Sequence, residues 1–187
     1  MRKHRGEPGS IATSSRWVPA LAALGRDDSV EWTTVRWPEL AKENCSLARA
    51  LAVLGDRWTL MILRDAFLRV RRFEAFEASL GIARRVLAER LALLVEEGIL
   101  RKVAYQDNPP RHEYRLTEKG LELYPVILSL VHWGDKYYDR KRGPPLLHTH
   151  KACGRDFRSV LTCSECGEPV RAHEVTVHAG PGAKKPA

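Results

Sequence analysis

Between Gly81 and Lys102 the chain reads GIARRVLAERLALLVEEGILRK, where Leu87, Leu91 and Leu94 recur at the spacing that puts them on one face of a helix. Val86 and Val95 flank that stripe, while Arg84, Arg85, Ala88, Glu89 and Ala92 point elsewhere. The same period appears upstream in three shorter segments. Leu47, Leu51 and Leu54 share a face of a helix that Asn44 or Ser46 is expected to cap and Gly55 to close. A second helix follows at once, with Asp56 as its cap and Trp58, Met61, Ile62 and Ala66 on its buried side. Phe73, Phe76 and Leu80 then define a short helix that Gly81 ends. This short helix, a brief Gly-containing turn and a second helix over 83–97 form the helix-turn-helix arrangement, whose second helix can enter the major groove of DNA.

After Gly98 the period changes to two. ILRKVAYQ and RHEYRLT read as strands separated by the chain-breaking DNPP, a hairpin in the position of a wing. Thr117 is the expected cap of the next helix, EKGLELYPVILSLVHWGDKYYD, which Pro125 should kink. This helix carries two apolar stripes: Leu121, Tyr124, Leu128 and Val131, and also Leu123, Ile127 and Leu130. One stripe suits the helix's own domain and the other a partner helix, so Leu123, Ile127, Leu130 and Trp133 are the expected contacts of a homodimer, the alternative being that both stripes are buried within one chain. The fold expected is mainly α with a small β wing (α+β): a winged helix-turn-helix over residues 36–142. Residues 1–35, rich in Gly, Ser, Pro and charge and without a sustained period, form a disordered tail by this reading. Residues 143–187 form a small Cys/His-bearing extension.

Charge narrows the function. The 31 Lys and Arg outweigh 23 Asp and Glu, giving a net charge of +8, which favours a polyanionic partner. The hydrophobic share of 44% suits a globular chain, and no run approaches the ~20 apolar residues of a spanning helix. Near the N-terminus, WVPALAALG is short, Pro-interrupted and followed by Arg26-Asp27-Asp28, so it does not read as a signal peptide. A cytoplasmic protein without membrane contact is expected. No nucleophile–base pairing, phosphate loop or open metal site points to an enzyme.

Four stretches, CSLARALAVLGDRWTLMILRD, RRFEAFEASLGIARRVLAERLALLVEEGIL, VAYQDNPPRHEYRLTEKG and LYPVILSLVHWGD, follow one another across residues 36–139. In this order they resemble the HxlR-type winged helix-turn-helix transcriptional regulators of bacteria. The resemblance implies a homodimeric regulator that binds double-stranded DNA near its own gene or a neighbouring operon. A repressor is expected, since a dimer sitting over a promoter blocks polymerase by occupancy alone. Two departures stand out: Arg69 occupies a turn where the family commonly has Gly, and Ala83-Arg84-Arg85 is more basic than many members at the start of the recognition helix. Members commonly begin just before the equivalent of RWPEL, so residues 1–34 read as an over-extended start, with Val35 as the initiation site.

DNA affinity comes largely from phosphate neutralisation and sequence preference from side chains at base edges. Arg84 and Arg85 open the recognition helix and are the expected base readers, each able to engage guanine with a fork worth ~1–3 kcal/mol of discrimination. Arg71, Arg72 and Arg90 are expected on phosphates, and Arg101, Lys102 and Arg111 on the wing and its flanks, Arg101 being equally readable as a solvated strand residue. Glu74, Glu77, Glu89, Glu96 and Glu97 interleave this set and could pair with it as ordinary helix-surface charges. The order of the modules favours DNA over that alternative.

Beyond the linker-like RKRGPP, His150-x2-Cys153-Gly and Cys163-x2-Cys166-Gly form two knuckle-like pairs. Together they are the expected four ligands of a closed, structural Zn2+ site, with His148 able to replace His150 and His173 a weaker substitute; the alternative is a small apolar tail in which a few Cys and His merely sit. Cys45 stands apart at the start of the first helix with Lys42 nearby, a setting that suits a reactive thiol. It is the candidate redox sensor, with a small buried helix residue as the competing and favoured reading of the position; some HxlR-type members sense oxidants through a cysteine near this position, and a small-molecule effector is the other expected input. The competing reading is a zinc-stabilised winged-helix adaptor that binds another protein, because this fold also serves contacts other than DNA.

Overall fold

The computed structural model describes residues 37–139 and 141–183. The tail and the Val35 start therefore lie outside the described residues. Two compact units are distinguished, one spanning Val35–Pro169 and the other containing Val170–Ala187.

A 3-10 turn, Trp37–Lys42, precedes α1 (Ser46–Leu54) and α2 (Arg57–Phe67). The N-cap of α1 is Cys45 and makes no side-chain capping bond, so neither Asn44 nor Ser46 holds the position expected for it. Asp56 does cap α2, its carboxylate accepting from the backbone N–H of Trp58 at 2.9 Å and of Thr59 at 3.3 Å. Then come α3 (Phe73–Leu80) and α4 (Arg84–Glu96), joined by a turn of three residues, Gly81 to Ala83.

The core follows from the leucine stripe. Leu87, Leu91 and Leu94 of α4 are fully buried and pack with Ile62 and Leu63 of α2 and Phe76 of α3. Antiparallel strands β1 (Leu100–Gln106) and β2 (Arg111–Leu116) form the wing, with Leu100 opposite Leu116 and Arg101 opposite Arg115. The stretch before α3 joins this hairpin: Arg72 bridges to Glu113, and the Tyr114 N–H donates to the Arg71 carbonyl at 2.7 Å. The wing is thereby tied to the helix-turn-helix rather than hanging from α4 alone.

Thr117 caps α5 (Glu118–Leu121) by accepting from the Gly120 N–H, and its hydroxyl donates to the Gly98 carbonyl at 2.6 Å. The chain then re-forms a separate helix, α6 (Tyr124–Tyr138), with Pro125 in its first turn. Pro125 starts a helix here instead of kinking one, because the N–H it lacks has no intrahelical acceptor at that position. Ile127 and Leu128 of α6 are buried, and Leu123 packs against the same core.

The extension begins after α6. Two-residue strands β3 (Thr149–His150) and β4 (Arg155–Asp156) pair antiparallel, and Thr162 bridges to Pro169. None of residues 143–169 is buried. His132 of α6 fastens this segment to the helical module: its Nδ1 accepts from the Ser159 N–H at 2.9 Å, and its ring meets those of His148 and Phe157 edge-on. In the other unit, residues 170–183 contain one 3-10 turn, Ala172–Glu174, where Arg171 and His173 face Glu174.

Candidate nucleic-acid interface

With its leucines turned inward, α4 presents Arg84, Arg85, Ala88, Glu89 and Ala92 to solvent. The two arginines at its start have different surroundings. The Arg84 guanidinium pairs with Glu77 of α3 at 2.5 Å and lies over the Phe73 ring, 4.9 Å from its centroid. Arg84 therefore braces α3 against α4. Arg85 projects freely, its side chain 90% exposed and held only by Glu89 one turn on at 2.9 Å. Such an exposed i,i+4 pair is worth a few tenths of a kcal/mol, so Arg85 can leave Glu89 for another acceptor at little cost. Between Arg85 and Ala92 the outward face is small or polar, which lets the helix backbone approach a groove closely.

Arg90, expected on phosphate, is half-buried and its Nε lies 3.3 Å from the Asp56 carboxylate, the cap of α2. It ties α4 to α2. The partner is 34 positions away in sequence, so no helical spacing reveals the pairing.

Glu113 of β2 faces three arginines, with Arg115 at 2.9 Å, Arg72 at 3.8 Å and Arg71 at 3.9 Å. Arg72 also lies over the Tyr105 ring of β1, 4.5 Å from its centroid, and Lys102 lies over Tyr114. Burial raises the Tyr114 phenol above its ordinary value, and the Glu74 carboxylate adds to the shift. Arg111 begins β2 beside the wing tip and is exposed. Arg69, in the turn between α2 and α3, adopts a left-handed backbone with φ 67°. Sequence reasoning marked this position only as a departure from Gly; the conformation explains why Gly suits it.

The expected dimer stripe divides. Leu130 and Trp133 are exposed, whereas Ile127 is buried in its own core and Leu123 is partly buried there. The register shifts because Pro125 starts a new helix, and the outward apolar side of α6 is Val126, Leu130, Trp133 and Tyr137. Leu47 and Leu51 of α1 are also exposed. Cys45 is an exposed free thiol.

In the extension each Cys/His pair is formed locally. The Cys153 Sγ lies 3.5 Å from His150 Nδ1, and the Gly154 N–H donates to the His150 carbonyl at 2.7 Å. In the second pair the Gly167 N–H donates to the Cys163 carbonyl at 2.9 Å. Gly154 and Gly167 both take positive φ, 67° and 77°, as a chain folding back under a pair of ligands requires. Backbone N–H groups of Cys166 and Glu165 aimed at the Cys163 sulfur, aided by the Cys166 side chain, hold its thiol below the ordinary range. The donor chemistry and turn geometry of each pair fit zinc, which binds thiolate. The two pairs do not converge: among the described residues no three His, Cys, Asp or Glu side chains gather around one point.

The model of the HxlR-like helix-turn-helix family matches residues 53–142. An HTH-type transcriptional regulator of Mycobacterium tuberculosis, itself uncharacterized, is 48% identical over 142 residues, 76% of this chain and 90% of that protein. The chain belongs to the HxlR-like helix-turn-helix family. A further HTH-type regulator, from Bacillus subtilis, is 35% identical across 52% of this chain and 77% of its own length. Among solved structures, the candidate transcription factor PA1607 superposes with a TM-score of 0.68 at 33% identity, covering 75% of this chain and 98% of its own. A second candidate transcription factor, from Pseudomonas aeruginosa, gives 0.53 at 36% identity over 75% of this chain and 96% of its own. The likeness to PA1607 covers more of this chain than the span matched by the HxlR-like model. No helix among the described residues is long and apolar enough to cross a membrane.

Proposed function

We propose that this HxlR-like protein is a cytoplasmic, sequence-specific DNA-binding transcriptional regulator that acts as a dimeric repressor. The observation that carries the reading is the outward face of α4, where Arg85 projects from a strip otherwise lined by Ala88, Glu89 and Ala92. Its neighbours in comparison, named as transcriptional regulators, support the same class. In this scheme Arg85 reads a base edge, while Arg72, Lys102 and Arg111 hold phosphates along the wing. Arg84 and Arg90 keep α4 in place for that contact. Binding of a labelled duplex from upstream of the protein's own gene, followed by fluorescence anisotropy in a salt series, tests it. Log K should fall linearly with log salt, and Arg85→Ala should lose about 1–3 kcal/mol of preference over random DNA. Equal affinity for upstream and random duplexes at every salt concentration would sink the sequence-specific reading.

The exposed stripe Val126, Leu130, Trp133 and Tyr137, with Leu47 and Leu51 of α1, supports a second copy of the chain as its cover. Sedimentation should give a dimer that Leu130→Glu dissociates; a monomer at micromolar concentration would overturn it. Exposed Cys45 supports a thiol input, so a mild oxidant should release the DNA from the wild type and leave Cys45→Ser bound. The paired turns of the extension support a structural zinc ion held by His150, Cys153, Cys163 and Cys166 once the two pairs close on it. Metal analysis should then find one zinc per chain, lost in Cys163→Ser, and no zinc after equilibration with the ion would remove this part.

A further inference from the structure

The wing carries a charge arrangement that DNA reading leaves unexplained. In the register of the hairpin Arg101 stands directly opposite Arg115. Like charges facing each other across two strands destabilise a sheet unless something neutralises them. Arg69 and Arg71 join them from the turn after α2, so four arginines are among the residues that line one recess of about 280 Å3. Glu113 offsets part of this charge, lying 2.9 Å from Arg115 and 3.9 Å from Arg71. Neither Arg69 nor Arg101 has an acidic partner among the described residues. Arg69 moreover holds its place in a left-handed conformation that costs a non-glycine residue about 1–2 kcal/mol. The rest of the lining is different in kind. Ala66, Phe67, Leu116 and Leu121 are the apolar members of the same lining.

A phosphate group on a DNA backbone needs the arginines and has no use for the apolar side chains. A recess that mixes cationic and apolar lining, just under the roughly 300 Å3 at which small-molecule sites begin, suits a small ligand that carries both. We infer that this cavity between the α2–α3 turn and the wing is a binding site for a small amphipathic anion, a carboxylate or sulfonate carried on an aromatic or branched apolar body. The acidic group sits among Arg69, Arg101 and Arg115 in charge-assisted hydrogen bonds, and the body lies on Phe67 and Leu116. Because the Tyr114 N–H and Arg71 carbonyl join the wing to the start of α3 along one side of this cavity, an occupant touches both elements that flank the recognition helix. The inference goes beyond DNA binding and holds whether or not the chain reads a sequence.

The test uses the full chain without DNA and two fluorescent probes of similar shape: 1-anilinonaphthalene-8-sulfonate, which carries the anion, and N-phenyl-1-naphthylamine, which does not. The sulfonate should bind one per chain in a salt-sensitive manner. Arg101→Gln and Arg69→Gly should each weaken it about tenfold, the loss of one charge-assisted bond, and leave the neutral probe unchanged. Arg69→Gly guards against a folding artefact, since relieving the left-handed backbone should raise the unfolding midpoint while binding falls. Sulfonate binding indifferent to both substitutions would overturn the site. So would loss of duplex affinity in these variants with dye binding intact, which would return the arginines to phosphate contacts. Failure of the DNA experiment above has no bearing on either probe, so the two readings fail separately.

Discussion

From Ile62 to Leu128 the helical module withdraws a contiguous set of apolar side chains from water, whereas residues 143–169 bury none. Leu146, Leu147, Val160 and Leu161 of the extension remain largely exposed. The first region needs only its own sequence to define a shape, because Leu87, Leu91 and Leu94 find partners on α2 and α3. The second is shaped by local turns, two-residue strands and the His132–Ser159 contact, and has no core from which to draw stability. Adjacent stretches of one chain thus rest on different physics.

The sharpest way to break this contrast is to remove one apolar side chain from each region. Leu91→Ala should cost about 2–5 kcal/mol in urea unfolding, and Leu161→Ala should stay within about 0.5 kcal/mol. Similar costs at the two positions would mean that the extension has a buried core after all. Gly120→Ala probes the tightest backbone approach in the packed module. A Cβ there would stand 2.3 Å from the Ile99 carbonyl oxygen, so α5 and the entry to β1 must separate, at about 1–3 kcal/mol on the same assay. The smallest effect on global stability should come from His132→Ala. It removes the ring on which Ser159 rests, so limited proteolysis within 143–169 should accelerate while the urea midpoint moves by no more than about 0.5 kcal/mol equivalent. A midpoint that falls with the proteolytic resistance would show the two regions unfolding together.

The same contrast explains what could be read in advance. Periodicity located the leucine stripe of α4, the cap at Asp56, the cap at Thr117 and the wing, because each depends on residues within a few positions of one another. It failed at Pro125, where the alternatives of a kinked helix and a restarted one share a single local pattern. With that register went Ile127, expected outward and found in the core. The charged residues were legible in part: Glu77 and Glu89, open as surface partners from the sequence, do pair with Arg84 and Arg85. Arg90 on Asp56 and Arg84 over Phe73 are tertiary contacts that only folded elements bring together. Cys45 shows the reverse limit: its place at a helix start was visible, yet the side chain makes no capping bond there.

The Arg84 brace also bears on how such a protein could be given a new target. Since Arg84 and Arg90 set the pose of α4 from its sides, the outward residues 85, 88, 89 and 92 answer to neither. Those four positions form an interchangeable tip on a fixed handle. A library varied there alone would leave intact the Arg84 and Arg90 contacts that hold the helix in place.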